Sequence, residues 1–341
     1  SKEGDLAAYW PREALPYGLE ADFWSVRHQG YTHWGTMFNS RQLLVHALLL
    51  KAIHLVGGSK HRWEVREALL GGFQQYLRNQ CMFTIWDIGY DKLAPHFSKN
   101  NFRPKATTVE NCVFPVLGRG NWQTCVSSIV KTLEWSNNPW EIVSNECLTD
   151  ANPTFRELVS GKSEKVSPGD AVQATVDIRC GSATELEGVG AATLDLVITD
   201  PPFGDLIQYS ELSDFFYAWL RLVLRERYPA FFSAESTPKT LEAVSNKARH
   251  PDDADAYYKR LLTASWAEAH RTLKPGGLLA FTFHHSEDAP WVAVLESLFD
   301  AGFYLEATYP IRSDEMKGDG EFGAQKIEFD IIHVCRKRTE E

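Results

Sequence analysis

The chain is 341 residues long, 44% hydrophobic, and carries a formal net charge of −10. That length and composition support one large domain or two ordinary ones with a sizeable core, which excludes a disordered chain. The acidic balance excludes the broad attraction to nucleic acid that basic proteins use, so any such site must be a local basic patch or lie on a partner.

The six cysteines (Cys81, Cys112, Cys125, Cys147, Cys180 and Cys335) form no Cys-x-x-Cys pair and no zinc-ligand spacing. They are expected as buried thiols in a reducing cytoplasm, and no metal site is assigned. No signal peptide and no apolar stretch of transmembrane length is present, so a cytoplasmic protein without a membrane partner is expected. The chain begins Ser1-Lys2 rather than with methionine, as a fragment or a processed chain would.

Residues 1–35 are rich in aromatics, Pro and Gly without a sustained period, and predict a packed loop segment. At Phe38-Asn39-Ser40-Arg41-Gln42-Leu43-Leu44, Asn39 or Ser40 can cap a helix reaching about Val56, with Leu43, Ala47, Leu50 and His54 on one face. A second helix is expected from about Trp63 to Asn79. Residues 84–120 hold many turn formers. Their basic and aromatic cluster Lys99-Asn100-Asn101-Phe102-Arg103-Pro104-Lys105 is either a solvated loop or a contact for phosphates and bases. Gly118-Arg119-Gly120 lacks the strand and acidic context of a cofactor loop. A further helix is expected over Trp122–Trp135.

From Ala171 the pattern changes. Val172, Ala174, Val176 and Ile178 alternate with polar residues and predict a strand, ending at Cys180-Gly181-Ser182-Ala183. The next strand, Leu194–Thr199, runs directly into Asp200-Pro201-Pro202-Phe203-Gly204. Two successive prolines end any strand or helix, so these residues must occupy a rigid loop at a strand's carboxyl end, where open α/β sheets bind ligands.

After that loop a helix is expected from Tyr209 to about Arg227. Its three consecutive aromatics cannot share one face, and Phe216 and Leu220 are predicted to pack inward. Residues 228–253, with Lys239, Lys247, Arg249 and His250, form either a substrate-contacting segment or a simple insertion. A helix over Ala254–Leu273 is stopped by Pro275-Gly276-Gly277, and an apolar strand follows at once. Then come a helix (Pro290–Ala301), a strand (Phe303–Ile311), a Gly-rich acidic loop (Ser313–Gly323) expected to be mobile, and a last strand (Ile327–Cys335).

The Asp-Pro-Pro-Phe loop suits methyl transfer to an exocyclic amine whose lone pair is delocalised into an aromatic ring. The Asp200 carboxylate and the Pro201 carbonyl would accept hydrogen bonds from the NH2 and free that lone pair, a stabilisation that grows toward the transition state. Pro202 fixes the direction of the loop and Phe203 offers a face on which a base can stack. S-adenosylmethionine (SAM) would supply the methyl group, with no nucleophilic side chain or metal. Asp-Pro-Pro can also be merely a turn after a buried strand.

The stretch resembles the catalytic motif of amino-directed methyltransferases, Asp/Asn/Ser-Pro-Pro-Tyr/Phe/Trp. With Phe-Asn-Ser-Arg-Gln-Leu-Leu at 38–44 and Tyr-Ser-Glu-Leu-Ser-Asp-Phe-Phe-Tyr-Ala-Trp-Leu at 209–220, the chain is similar to the C-terminal part of large bacterial and archaeal adenine-specific DNA methylases described with a zinc-ribbon module. The similarity runs from the N-terminus to the last strand and is weakest over 84–170. It implies a class I SAM-dependent methyltransferase sheet, α/β and Rossmann-like, at 166–341. A helical and irregular N-terminal region would occupy 1–165.

The resemblance implies catalytic roles for Asp200, Pro201, Pro202 and Phe203. Cofactor contacts are implied at Phe38, Asn39 and Arg41 (the family's motif X) and at Gly181, Ser182 and Thr199. Ser182 stands where the family commonly has an acidic residue. Tyr209, Lys239 and Arg249 are the expected substrate contacts, Tyr209 holding a flipped base.

The family's Asp-Pro-Phe-x-Gly-x-Gly cofactor signature and its zinc-ribbon cysteines are absent from this sequence. The expected partners are therefore DNA, ahead of RNA, and a second polypeptide carrying the glycine-rich SAM loop. A noncatalytic methyltransferase-like nucleic-acid-binding subunit and an RNA guanosine-N2 methyltransferase remain the alternatives.

Overall fold

The structure is a computed structural model. It describes residues 6–16, 18–19, 26–57, 62–89, 91–98, 100–102, 108–114, 119–138, 140–142, 156–158, 177–312 and 329–338. The chain forms two compact units that interleave in sequence. Unit 1 comprises Ser1–Leu15, Trp24–Ile178 and Phe215–Glu235, and unit 2 comprises Pro16–Phe23, Arg179–Asp214 and Ser236–Glu341. The sequence predicts a single boundary at 165/166, whereas the helix α4 (Tyr209–Leu224) begins in unit 2 and continues into unit 1.

Unit 1 is helical, with α1 (Ser40–Leu55), α2 (Arg62–Leu77) and α3 (Trp122–Asn137). It also holds two short antiparallel hairpins, β1 (Ile85–Asp87) with β2 (Lys92–Ala94) and β3 (Trp140–Ile142) with β4 (Arg156–Leu158). α1 opens on a capping box: the Asn39 Oδ1 accepts from the Gln42 amide at 2.9 Å and the Asn39 amide donates to Gln42 Oε1 at 2.9 Å. Two of the four amides orphaned at a helix start are thereby satisfied.

The buried face of α1 is Gln42, His46, Ala47, Leu50 and Ile53, while Leu43 and His54 lie at its margin. The expected stripe is thus displaced because His46 enters the core, its Nε2 bonded to the Gln80 carbonyl and its Nδ1 to the Tyr76 hydroxyl, each at 3.0 Å. Burial holds the His46 pKa down to about 4, so the ring is neutral. In α4, Phe215, Trp219 and Val223 are buried while Phe216 and Leu220 are only half-buried, the reverse of the sequence expectation. Phe38, Phe73 and His46 ring Trp219 at centroid distances of 5.1, 5.9 and 5.8 Å. Gly72 seats the end of the Ile129 side chain of α3 against α2, where a Cβ would fall 2.7 Å from Ile129 Cδ1.

Unit 2 is built on a four-stranded sheet, β5 (Leu194–Thr199), β6 (Leu273–Phe283), β8 (Phe329–Lys337) and β7 (Phe303–Arg312), in the spatial order β5-β6-β8-β7. β6 is parallel to β5, and β8 is antiparallel to both its neighbours. The short helix α5 (Pro229–Phe232) belongs to unit 1, and the long α6 (Ala254–Thr272) and α7 (Asp288–Asp300) to unit 2.

The sheet's core forms where alternate residues of β6, Leu279, Phe281 and Phe283, meet Tyr258, Leu262 and Trp266 of α6 and Val294 and Leu298 of α7. α6 ends at Thr272, and Pro275-Gly276-Gly277 lie in an irregular opening of β6, where Gly276 takes φ +77°. A Cβ on Gly277 would lie 3.1 Å from the Asp195 carbonyl, so a side chain there would press on the neighbouring strand. Leu196 and Ile198, by contrast, are 47% and 73% exposed on the end strand β5.

The predicted strand from Ala171 lies outside the described residues up to Val176, and Asp177 and Ile178 are not in a strand. The loop Ser313–Gly323 and the Arg103–Lys105 part of the basic cluster also lie outside the described residues.

Candidate functional site

The site is assembled at the carboxyl ends of β5 and β6. β5 stops at Thr199, which pairs with Phe281, and the chain leaves the sheet as Asp200-Pro201-Pro202-Phe203. Gly204 makes the turn back with φ +65°, a left-handed conformation that costs residues with a Cβ but not glycine. A Cβ there would also stand 3.2 Å from Pro290 Cγ. The Ser245 amide donates to the Gly204 carbonyl at 3.1 Å, and the Tyr258 hydroxyl donates to the Pro202 carbonyl at 2.6 Å. Burial raises the Tyr258 pKa, which keeps this phenol a donor. The loop is therefore held from α6 and from the segment before it.

Four consecutive residues at the end of β6 and just beyond it surround the loop. The Thr282 hydroxyl donates to Asp200 Oδ1. The Phe283 and His284 rings meet Phe203 edge to face at 5.2 and 4.7 Å, and His284 Nδ1 is paired with Asp330. His285 accepts from the Glu287 amide through Nδ1 at 3.0 Å, which leaves the proton on Nε2, 3.9 Å from Asp205 Oδ1.

Asp200 is exposed, Pro201 buried and Phe203 half-buried. Among the described residues nothing donates to the Pro201 carbonyl. One oxygen of Asp200 and the Pro201 carbonyl thus remain as acceptors on a loop otherwise fixed.

Tyr209 is 46% exposed at the start of α4. Partial burial, and then the negative charges of Asp200 and Glu242, raise its pKa, which places it in the electrostatic field of the loop. Lys239 is paired with Asp214 Oδ2 at 2.7 Å and Arg249 with Glu242 Oε2 at 2.7 Å, both largely shielded from solvent. Asp214 also accepts from the Thr237 amide and hydroxyl, and Glu242 from the Ser210 amide, each at 2.7 Å. Together these bonds clamp residues 237–249 onto the first turns of α4. Both cations are held by this clamp.

The remaining sequence-predicted residues are dispersed. Thr199 is half-buried in β5. Gly181 is exposed with nothing within 4 Å of a notional Cβ, and Ser182 Oγ bonds Thr184 Oγ1 at 2.8 Å in a local turn. In unit 1, Phe38 lines a cavity of about 590 Å3 with Trp10, Arg12, His33, Gly35, Thr36 and Leu43. Asn39 is engaged by the cap, and the Arg41 guanidinium pairs with Glu110 on the surface. Gly120 takes φ +70° and packs onto Asn79, a structural use.

The sequence did not single out Thr282, Tyr258, His284 or His285. Among the described residues no group of three or more His, Cys, Asp or Glu could hold a metal ion, and no helix is long and apolar enough to cross a membrane.

No family model and no curated protein matches the chain. Three solved structures of a candidate DNA modification methylase of Thermus thermophilus, TTHA0409, are similar in part. The selenomethionine form is 18% identical with a TM-score of 0.26, covering 47% of this chain and 52% of that one. A second form is 19% identical with a TM-score of 0.27, covering 47% and 53%. The form complexed with S-adenosyl-L-methionine is 15% identical with a TM-score of 0.25, covering 47% and 52%. The chain spans about half the length of these structures, and at such TM-scores the superposition establishes no common fold.

Proposed function

We propose that the chain is the catalytic part of a SAM-dependent methyltransferase acting on an exocyclic amino group, most specifically adenine N6 of DNA. The observation that carries this proposal is the Asp200-Pro201 pair: two acceptors side by side on a loop whose Pro202, Phe203 and Gly204 carbonyls are all engaged. An aromatic amine directing its two N–H groups at Asp200 and Pro201 O loses conjugation with its ring and becomes nucleophilic. Phe203, wedged against Phe283 and His284, is placed to stack on the base, and Tyr209 to hold it once flipped from the duplex. Bound SAM supplies an electrophilic methyl group.

The fit to that cofactor is partial. The aromatic cavity at Phe38 suits part of it, while Asn39 is engaged in a helix cap and Arg41 in a surface ion pair. A glycine-rich loop of the expected kind is absent from the sequence. We therefore include in the proposal a second polypeptide that carries it. Among the described residues β5 ends the sheet with Leu196 and Ile198 exposed, which supports such a partner, since parallel strands are ordinarily covered on both faces. Lys239 and Arg249 then serve the substrate by holding the 237–249 segment beside the loop rather than as free cations.

The test combines calorimetric titration of the chain with SAM and transfer of labelled methyl groups to DNA and RNA, with the product nucleosides identified. N6-methyladenine in DNA, lost in Asp200→Ala, is the expected result. N2-methylguanosine in RNA would move the substrate assignment. Binding of nucleic acid without transfer, in the presence of the partner, would favour the noncatalytic subunit.

A further inference from the structure

We infer that Thr282 is the positioning residue of the site: its hydroxyl engages one oxygen of Asp200 and so commits the other, with the Pro201 carbonyl, to the amine being methylated. This rests on the methyltransferase proposal above and names the group that sets the direction of its central carboxylate.

The ladder explains the placement. Ile198 pairs with Ala280 and Thr199 with Phe281, the last paired rung, and Asp200 and Thr282 each follow that rung by one residue at the carboxyl ends of the two parallel strands. There the Thr282 hydroxyl donates to Asp200 Oδ1.

Threonine suits this task. Its β-branch restricts χ1, and in a strand the hydroxyl direction is confined to few rotamers. An exposed aspartate exchanges among its χ1 rotamers, and a strand-held donor on one oxygen keeps the carboxylate in one of them. Asp200 is exposed and Thr282 half-buried, and among the described residues no other group hydrogen-bonds the carboxylate. Phe283, His284 and His285 act on Phe203 and on the turn at Gly204–Asp205, which leaves Thr282 as the β6 residue that touches the acceptor itself.

The test uses Thr282→Val, which keeps the shape and removes the donor, and Thr282→Ser, which keeps the donor and removes the methyl. The Asp200 rotamer is read in the full chain from three-bond couplings to its side-chain carboxyl carbon, and kcat, KM and SAM affinity are measured alongside. Single-rotamer couplings are expected in the wild type and in Thr282→Ser, and averaged couplings in Thr282→Val. A fall in kcat of about 10- to 100-fold, the range that misplacement of a catalytic group produces, is expected in Thr282→Val with SAM affinity unchanged. Thr282→Ser should restore most of it.

Unaltered couplings in Thr282→Val would overturn the inference, whether or not the isolated chain transfers methyl groups. So would a defect confined to Thr282→Ser, which would mark a packing role. If Asp200→Ala still transfers methyl groups, the methyltransferase proposal itself falls. An inactive Asp200→Ala beside a Thr282→Val of wild-type kcat removes only the role of Thr282.

Discussion

The aromatic core of unit 1 and the sheet rim of unit 2 use similar polar side chains to opposite ends. In the core, both ring nitrogens of the buried His46 are bonded inside the protein, and Arg221 Nη1 is paired with Glu13. At the rim, Asp200 has one oxygen engaged and one facing solvent, and the neighbouring Pro201 carbonyl is unengaged. Burial obliges a polar group to find its partners within the fold, because an unpaired one costs about 1–3 kcal/mol. Exposure at the end of a strand allows an acceptor to be held rigid and still be available. The core should therefore respond to perturbation in stability and the rim in activity.

The largest expected effect is at the rim. Asp200→Ala should lower methyl transfer by about a hundred- to a thousandfold, the scale seen when a transition-state hydrogen-bonding partner is removed. Its thermal midpoint should stay near that of the wild type, because the carboxylate is exposed; a variant that loses stability but keeps turnover would reverse the assignment.

Trp219→Ala tests the other side. Removing a fully buried indole should destabilise the protein by about 3–5 kcal/mol through lost burial and a residual cavity. Urea unfolding measures it, and a loss below about 1 kcal/mol would mean that the aromatic cluster is not the core of unit 1.

Acid should act on the core next. Burial lowers the pKa of His46 to about 4, and burial with the Arg78 charge lowers that of His96 to about 3, from an ordinary 6.5. The unfolded chain takes up these protons near pH 6.5 while the folded chain resists them. Their penalty is therefore absent above that pH and grows as pH falls toward 4. At pH 5 each histidine should cost about 2 kcal/mol relative to pH 7. Urea midpoints across that range, with His46→Gln flattening the slope, check the sign and the window.

Gly204→Ala should cost about 1–2 kcal/mol, from the left-handed backbone and the approach of its Cβ to Pro290. Because Gly204 closes the turn that carries Asp200, activity should fall further than stability.

Much of this division is legible in the sequence. The apolar runs and the Pro and Gly stops mark β5, β6, α6 and α7, and the double proline after Thr199 marks the rim. The face of α1 is not, because His46 counts as polar in any pattern and is buried only through Tyr76 and Gln80, which lie elsewhere in the chain. Thr282 is hidden for a different reason. Between the first two paired rungs, two residues of β5 (Leu194 to Leu196) are matched by five of β6 (Leu273 to Leu278). The Pro-Gly-Gly irregularity absorbs the difference, so aligning the strands from their starts would miss the register that sets Asp200 beside Thr282. Lys239 and Arg249 show the converse: clustered basic residues suggest a phosphate contact, but Asp214, 25 residues before Lys239, and Glu242, 7 before Arg249, engage both.

The smallest expected effect on stability is at Arg41, and it is informative for that reason. Its guanidinium is 78% exposed and its partner Glu110 37% exposed, so solvent and salt screen the pair. Arg41→Ala should shift the thermal midpoint by less than about 1 °C, as removal of exposed ion pairs commonly does. Any change in SAM affinity would then arise from direct contact rather than from a weakened helix. A tenfold loss of affinity in Arg41→Ala, with Glu110→Ala unaffected, would show that the guanidinium leaves the ion pair to meet the cofactor. Equal affinity in all three proteins would confine the cofactor's contacts in this segment to Phe38 and the cavity it lines.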